Sequence, residues 1–419
     1  MENIVSEANE ISTKLDLYDG KMTLGINVNK INYNYDIIDD IKMYHHIKSS
    51  FMSLFNRKTY NFLISHKAKI DERKNKLCWE KMKKITNNYE LVHTTHSNKN
   101  MSIAKYSPLS RSYFKMWEML NEHDLLDRKS SDVKKTAHLA EGPGGFIEAV
   151  INWRKNSNDI LNGITLKSDN KDIPGWINSV KFLKKNSNVK ISYGEDGTGN
   201  LYHLNNIKHF KKTVGKVDFV TADGGFDFSV DFNSQELMSQ RLIFCEITTI
   251  LSIQNIGGNF VCKFFDMFEY NTIQLLWIIS LLYDELIITK PYTSRPANSE
   301  KYVIGKGFKG ISDELLDKLY YIIENWDILD FKERIEILNS KISCRFLEII
   351  SDYNFLNAAD QIEMIDKTLT LINMSYNKDE ITKNRKIQSK KAIQWCKKHN
   401  ISINENCYVL KKFKNLKWR

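Results

Sequence analysis

Residues 135–155 read KTAHLAEGPGGFIEAVINWRK, and this stretch decides the fold. Its first six residues predict a β-strand, residues 146–155 predict a helix, and the glycines between them indicate a tight turn. Such a turn leaves the backbone N–H groups at the start of the helix facing a ligand. It matches neither GxGxxG nor a P-loop, so it favours neither a dinucleotide nor a P-loop phosphate. An ordinary strand–helix turn would look similar.

Further strands and helices are predicted downstream, with strands at 163–166, 217–222, 259–265, 285–289 and 301–305 and helices at 234–251 and 273–283. Alternation of strands and helices at this spacing indicates parallel strands joined by right-handed crossovers. The predicted fold is therefore α/β, with a doubly wound sheet. Ligands of such sheets bind beyond the carboxyl ends of the strands, so we expect each chemical motif to lie at that edge.

The composition places limits on the class of protein. A hydrophobic fraction of 42% and a charged fraction of 27% predict a soluble globular chain rather than a disordered one. The six cysteines lack CxxC spacing, so no metal site is predicted and a reducing compartment is favoured. The N-terminus does not resemble a secretory signal, and the apolar run 273–283 is too short to cross a membrane. We therefore expect an intracellular protein, cytoplasmic or nuclear, without a membrane partner.

The glycine-rich middle of the chain is flanked by two segments of different character. We predict an N-terminal, mainly helical extension over 1–104, an α/β domain over 105–310 and a helical, basic region over 311–419. Between Tyr376 and Arg419 there are 13 Lys/Arg and 3 Asp/Glu. The difference of +10 equals the net charge of the whole chain. Four aromatic residues lie among these lysines: Trp395, Tyr408, Phe413 and Trp418. This pattern fits either a stacking surface for nucleic acid or a solvated helix with a frayed tail.

Several ionisable residues occupy positions where chemistry is expected. Asp223 follows the apolar strand at 217–222 and precedes two glycines, so it either serves a ligand or caps a turn. Lys263 lies within an apolar strand, where burial and a second ammonium group would lower its pKa and make it a base; snorkelling at the strand end is the alternative. Glu300 leads into the last predicted strand.

The motifs SRSYFK, AEGPGGF, GITLK, YGEDGTGNLY, ADGGFDFS, GGNFVCKFFD and SRPANSEKYVIGKG occur in this order. This set resembles the FtsJ-like (RrmJ-type) RNA 2′-O-ribose methyltransferases, and is most similar to the cap-specific mRNA nucleoside-2′-O-methyltransferases of eukaryotes and large DNA viruses. It covers about residues 105–310. The resemblance implies a Rossmann-like sheet, S-adenosylmethionine as cofactor and capped RNA as substrate. Capping or transcription machinery would be further partners.

The resemblance also implies roles for individual residues. The catalytic tetrad would be Lys115, Asp223, Lys263 and Glu300. The cofactor would be bound by Ser110, Glu141, Gly142, Pro143, Gly144, Gly145, Phe146, Asn200 and Leu201. The substrate would be bound by Arg111, Asn233, Ser234, Gln235 and Asn298, although Asn233 and Ser234 would equally serve as helix caps. His138 stands where the family often has an acid, and Glu141 would then compensate.

Three functions are compatible with these motifs. The first is methylation of the ribose 2′-OH of the first transcribed nucleotide in capped mRNA. The second is 2′-O-methylation of ribosomal or transfer RNA, which uses the same tetrad. The third is a non-catalytic RNA-binding subunit of a capping complex. The long flanking segments favour the first function over the second, and the intact tetrad argues against the third.

Overall fold

A computed structural model of the chain describes residues 24–26, 55–94, 99–167, 175–225, 234–338, 341–374 and 377–412. The strands are β1 (Leu24–Ile26), β2 (Lys135–Leu139), β3 (Ile160–Ile164), β4 (Val189–Ser192), β5 (Val217–Ala222), β6 (Gln254–Phe264), β7 (Tyr283–Thr289) and β8 (Lys301–Phe308). The α-helices are α1 (Arg57–Ala68), α2 (Arg73–Thr86), α3 (Ser112–His123), α4 (Gly145–Arg154), α5 (Val180–Lys185), α6 (Leu204–Val214), α7 (Gln235–Ile253), α8 (Tyr270–Leu282), α9 (Asp313–Glu324), α10 (Phe331–Leu338), α11 (Cys344–Asn373), α12 (Lys378–Lys398) and α13 (Tyr408–Lys412). None of the described helices has the length and apolarity needed to span a bilayer.

The described strands form one sheet in the order β1-β7-β8-β6-β5-β2-β3-β4. Strands β2 to β6 pair in parallel, and the chain winds outward in opposite directions from β2 and β5. This arrangement confirms the predicted doubly wound α/β class. Ligands bind such sheets where the winding direction reverses, which here is at the carboxyl ends of β2 and β5. The sequence did not predict β4 or α6; β4 has only four residues.

The expectation that all strands run parallel is wrong for β8. This strand pairs antiparallel with both β6 and β7 and lies between them. The segment 290–300 that connects β7 to β8 contains no helix, so the chain returns directly instead of crossing over. As a consequence, the start of β8 lies at the same edge of the sheet as the carboxyl ends of the parallel strands.

Side chains of the central strands alternate between two apolar cores, one on each face of the sheet. Val220 and Cys262 pack with residues of α6, α7 and α8, whereas Phe219 and Val261 pack with residues of α3 and α4. All four side chains are fully buried. Because successive strand residues point to opposite faces, these runs are apolar throughout and are covered by helices on both sides.

The two flanking segments pack on each other and on the sheet domain. Helices α1 and α2 both contact α11, and the hydroxyl oxygens of Thr86 and Thr368 lie 2.8 Å apart in this buried contact. Apolar residues from all three parts of the chain form one cluster, which contains Ile70, Trp79, Met82, Ile85, Ala297, Ile365, Leu369, Leu371 and Ile372. The helical additions therefore form one layer against the sheet domain.

Helix α12 is also built into the core. Trp395 is 2% exposed, and its indole Nε1 donates to Glu118 Oε2 at 2.9 Å. Trp395 is thus a core residue, so the interpretation of this segment as a stacking surface for nucleic acid does not hold for Trp395. Tyr408 is exposed, while Phe413 and Trp418 lie outside the described residues.

A buried ionic cluster ties α1 to the end of the sheet. Asp266 accepts from Lys67 Nζ at 2.7 Å and from Lys301 Nζ at 3.2 Å. All three residues are at most 5% exposed. Burial alone would raise the pKa of Asp266, but the two lysines outweigh this effect and lower the pKa to about 2.

Replacing Asp266 with Ala should lower the free energy of unfolding by about 3–5 kcal/mol, because two ammonium groups would remain buried without their shared carboxylate. Urea denaturation at neutral pH measures this change. Glu314→Ala, which removes an exposed i,i+4 partner of Lys318, should leave the free energy of unfolding almost unchanged, because solvent screens a pair at the surface. Because the pKa of Asp266 is depressed, its contribution should be complete above pH 4 and lost as the pH falls towards 2. An equal, small loss in both variants would contradict the structural role.

Candidate active site

A cleft of about 1050 Å³ opens at the carboxyl edge of the parallel strands. Its floor is formed by the residues that follow β2, β3 and β5, and its walls by the start of α3, by the β7–β8 connection and by the helical additions. Three of the four predicted tetrad residues line it directly: Asp223, Lys263 and Glu300. The chemical motifs therefore lie where the doubly wound topology predicts them.

Lys115 and Glu300 form the first ion pair of the site. Helix α3 presents Lys115, whose Nζ lies 2.7 Å from Glu300 Oε1 and 2.8 Å from Oε2. Glu300 immediately precedes β8 and also accepts a hydrogen bond from Ser294 Oγ at 2.7 Å. Both charged side chains are mostly buried, with 14% of each exposed. The carboxylate thus receives donors from two separate elements and is fixed in place.

Asp223 and Lys263 form the second pair. Lys263 Nζ lies 3.3 Å from Asp223 Oδ1 and donates to the backbone carbonyl of Asp223 at 2.9 Å. The two glycines that follow Asp223 leave room for this contact: a Cβ on Gly225 would lie 3.0 Å from Lys263 Nζ. Lys263 is therefore held by one partner residue through both its side chain and its backbone.

Tyr302 connects the two ion pairs. Its buried hydroxyl donates to Asp223 Oδ1 at 3.0 Å and accepts from Lys115 Nζ at 3.3 Å. Tyr302 lies directly opposite Lys263 in the β6–β8 register. Sequence reasoning missed this residue, although Tyr302 follows Glu300 by two positions and strand periodicity places both on one face. The four predicted residues and Tyr302 therefore form one connected network.

The charges of the network determine the protonation of its members. Burial would lower the pKa of Lys263, but the carboxylates of Asp223 and Glu300 outweigh burial, and the net pKa is raised. The expectation that this pKa falls is therefore wrong, because Lys263 is surrounded by carboxylates rather than facing an unpaired ammonium group. Burial would raise the pKa of Glu300, but Lys115 and Lys263 hold it well below its usual range.

A further carboxyl group lies beneath the network. Glu246, on α7, is fully buried, and a Cβ on Gly224 would lie 2.3 Å from its Oε1. Cys262 Sγ lies 3.7 Å from its Oε2. Burial raises the pKa of Glu246 to about 8, although Lys263 opposes this effect. Sequence reasoning missed Glu246, which is the one acid within the otherwise apolar and hydroxyl-bearing run LIFCEITTIL (242–251).

The predicted cofactor residues divide into two groups. Five of them line the cleft: Ser110, Gly142, Pro143, Asn200 and Leu201. Gly144 and Gly145 form the turn that opens α4. Gly144 has φ +106°, which favours glycine, and a Cβ on Gly145 would lie 2.1 Å from the hydroxyl oxygens of Ser110 and Ser112. The turn therefore brings the start of α4 close to that of α3.

Two of the predicted cofactor residues, Glu141 and Phe146, have side chains that point into the protein interior. Glu141 is 4% exposed and accepts a hydrogen bond from Thr221. His138 is fully buried, and its ring nitrogens contact Thr136 and Thr221 at 2.8 and 2.7 Å. The Glu141 side chain therefore points into the interior of the sheet, and its predicted compensation for His138 stays a prediction. The side chain of Phe146 is likewise fully buried in the apolar core, and its predicted cofactor contact stays a prediction.

The predicted substrate residues also differ in their surroundings. Arg111 lines the cleft, but its guanidinium donates to the backbone carbonyls of Glu90, His93 and Thr293. Arg111 therefore links the segment 90–93 to the β7–β8 connection. Gln235 and Asn298 line the cleft.

The two remaining predicted substrate residues, Asn233 and Ser234, precede α7 in the sequence. Ser234 occupies the N-cap position of that helix. Asn233 lies outside the described residues. Its predicted contact with the substrate stays a prediction.

Residues from the helical additions complete the wall of the cleft. Trp79 and Lys83 of α2 and Gln361 of α11 line it beside Asn298. Lys83 is 8% exposed, and burial, the largest influence, lowers its pKa. Sequence reasoning assigned none of these residues to the site, because their separation along the chain gives no local signal.

The mixed sheet, the glycine turn after its first parallel strand and the cleft at its switch point define a methyltransferase fold of the doubly wound class. Residues 108–308 match the model of the FtsJ-like methyltransferase family. This match, over just under half of the chain, confirms the resemblance seen in its motifs.

Curated relatives carry a more specific name. The chain is 35% identical over 208 residues to cap-specific mRNA (nucleoside-2′-O-)-methyltransferase 1 of Mus musculus, a match that covers 47% of this chain and 24% of the mouse protein. It is 36% identical over 248 residues to the protein of that name from Dictyostelium discoideum, which covers 54% of this chain and 32% of that protein. The match thus spans a quarter to a third of the length of these relatives.

Among solved structures, the chain is similar to a ribosomal RNA methyltransferase from Plasmodium falciparum. The similarity covers 48% of this chain and 99% of that one, with 20% sequence identity and a TM-score of 0.33.

The buried carboxyl group makes a prediction about pH. The pKa of Glu246 is about 8 in the folded chain and 4.5 ordinarily, so the folded state binds more protons between these values and stability falls as the pH rises. Glu246→Gln imitates the protonated acid and should remove this fall. At pH 7.5 the variant should be more stable than the wild type by on the order of 4 kcal/mol, and at pH 4.5 the two should be nearly equal. Denaturation curves at both pH values test this; a constant difference would contradict it.

Proposed function

We propose that the protein transfers a methyl group from S-adenosylmethionine to the ribose 2′-OH of the first transcribed nucleotide of capped mRNA. The observation that carries this proposal is the convergence of two ammonium groups and two carboxylates at the cleft of an FtsJ-like domain. The names of the relatives, which specify mRNA caps, support the substrate.

The residues of the cleft fit the proposed cofactor. The backbone of Gly142 and Pro143, at the strand-to-helix turn, borders an open space beside the apolar side chains of Leu166 and Leu201. Asn200 and the Ser110 hydroxyl add polar groups to the same wall. Ligand sites of this kind combine apolar walls with a few polar groups that fix orientation. When bound, S-adenosylmethionine supplies the methyl group and a positive sulfonium charge.

We assign to Lys263 the removal of the proton from the ribose hydroxyl. A hydroxyl is a poor nucleophile until a base within hydrogen-bond reach accepts its proton. Asp223 holds the Lys263 ammonium group in one orientation through two contacts. The network of carboxylates keeps this lysine charged, so it becomes a base when a further positive charge lies beside it and lowers its pKa.

Lys115, Glu300 and Tyr302 would position the acceptor. Glu300 and the Tyr302 hydroxyl hold the Lys115 ammonium group, which projects from α3 towards the same cleft. An ammonium group is a strong hydrogen-bond donor and can fix the ribose hydroxyl in line for transfer. Tyr302 keeps this group at a fixed position relative to Asp223.

Methylation of ribosomal or transfer RNA is the competing function, because the same four groups would serve any ribose hydroxyl. The wall that α2 and α11 add beyond the tetrad favours a substrate with a bulky group next to the methylated ribose, as in a capped RNA. Contacts with capping or transcription machinery, and a cytoplasmic or nuclear location, stay predictions from the resemblance.

A methyl-transfer assay with labelled donor tests the proposed substrate. Capped RNA should be methylated, capped RNA with a 2′-deoxy first nucleotide should not, and uncapped RNA of the same sequence should react at least about 10-fold more slowly, since binding energy from the cap would be lost. Equal rates with capped and uncapped RNA would contradict cap specificity. Methylation of the 2′-deoxy substrate would contradict the assigned position.

Replacing Lys263 with Met tests the assigned base, because the variant keeps the alkyl chain and removes the amine. The rate of methyl transfer should fall by about 10²–10⁴-fold. Affinity for the donor, measured by calorimetry, should stay within a few-fold, since Lys263 binds Asp223 rather than the turn at Gly142. Lys309→Met, at an exposed lysine just after β8, is the matched control and should be fully active. Near-normal turnover by Lys263→Met would assign the proton to another group.

A further inference from the structure

Helix α12 has two faces of opposite character. Its inner face is fully buried at Gln388 and Ala392. The side-chain amide of Gln388 donates to the backbone carbonyls of Lys84, Ile85 and Asn87 at 2.7–2.9 Å, which fastens α12 to the end of α2. The helix is therefore a rigid part of the fold.

The outer face of α12 is a stripe of lysines. Lys383, Lys386, Lys390 and Lys397 recur at steps of three, four and seven residues and are all exposed. Glu380 lies 3.6 Å from Lys383. In the part of the chain that the structure describes, no carboxylate lies within 4 Å of Lys386, Lys390 or Lys397, so their charges are not neutralised locally.

This stripe is connected to the wall of the cleft. The Arg385 guanidinium, next to Lys386, lies close enough to the Glu90 carboxylate for electrostatic attraction between them. Glu90 in turn accepts from Arg295 at 2.9 Å and lies 3.5 Å from Arg111. Arg295 belongs to the β7–β8 connection that also bears Glu300. Positively charged groups therefore continue from the cleft wall to the start of α12.

We propose that the outer face of α12 binds the phosphate backbone of the substrate RNA where it extends beyond the cleft. The proposal rests on the proposed function in taking RNA as the substrate. From Lys386 to Lys397 the helix rises by about 16 Å, which is long enough to contact several phosphates of one strand.

The composition of the stripe favours a nucleic acid over a protein partner. Centres of protein interfaces are enriched in aromatic residues and depleted of lysine. On α12 the aromatic residue, Trp395, is buried, and the exposed positions are dominated by lysine. Lysines of this kind bind phosphates as point charges without reading sequence, so the contact would position RNA of any sequence.

The test variant replaces Lys386, Lys390 and Lys397 together with Ala, which is compatible with a helix. Its matched control replaces Lys181, Lys184 and Lys190, three exposed lysines of α5 and of β4, an edge strand of the sheet. Circular dichroism checks that both variants fold. Fluorescence anisotropy with labelled capped RNA of about 5 and about 20 nucleotides, without methyl donor, measures affinity over a range of salt concentrations.

For the long RNA, the α12 variant should bind about 10-fold or more weakly at low salt, and the slope of log K against log salt should fall by about 2, since each lost phosphate contact accounts for about 0.7. Affinity for the short RNA, and the rate of its methylation, should be unchanged. The control variant should match the wild type.

An unchanged affinity of the α12 variant for the long RNA would overturn the proposal and leave an acidic protein segment as the occupant. An equal loss in the control variant would overturn it as well, because the effect would then be one of net charge. Binding is measured without methyl transfer. The contribution of α12 to RNA affinity could therefore still be determined if the proposed reaction were not observed.

Discussion

The site depends on the mutual neutralisation of two ammonium groups and two carboxylates that are mostly buried together. Any one of them alone at such a position would be costly, because burial disfavours the charged form. The pairing of Lys115 with Glu300 and of Lys263 with Asp223 removes this cost, and the Tyr302 hydroxyl joins the pairs. The fold supplies these groups from a helix start, a strand end, a strand interior and the start of an antiparallel strand. The insertion of β8 between β6 and β7 is therefore the topological feature on which the site relies.

Much of this arrangement could be predicted from local patterns, because strands that alternate with helices place their loops at one edge of the sheet. Asp223 was identifiable as an acid that follows an apolar run, and Lys263 as a lysine within one. The reversal of β8 is indicated by the short, helix-free connection 290–300, because a parallel return would need a crossover of a dozen or more residues. The pKa of Lys263 could not be predicted, since it depends on distances to carboxylates that are far away in sequence. The burial of the Glu141 and Phe146 side chains could not be predicted, because a position in a turn motif does not determine which way a side chain points.

The contribution of the flanking segments was the least predictable part. Their helices were identifiable from periodicity, whereas their partners were not, because α2 meets α11 and α12 from the other end of the chain. This packing makes the additions part of the cleft, through Trp79, Lys83 and Gln361. It also changes the interpretation of the basic C-terminal segment, in which Trp395 of α12 is a core residue while the lysines of the same helix lie at the surface. Charge and aromaticity, adjacent in sequence, are separated by the helix into two faces.

The raised pKa of Lys263 has a consequence for the proposed reaction. With its carboxylate neighbours alone, the lysine holds its proton at neutral pH and cannot act as a base. A positively charged sulfonium next to the network would oppose the carboxylates and favour the neutral amine. Lys263 would then act as a base only when the methyl donor is bound. The ribose hydroxyl would therefore lose its proton only when a methyl group is available for transfer to it. Glu246, whose carboxyl lies behind Lys263 with a pKa of about 8, contributes to this balance, because its ionisation would add a further negative charge and keep Lys263 protonated.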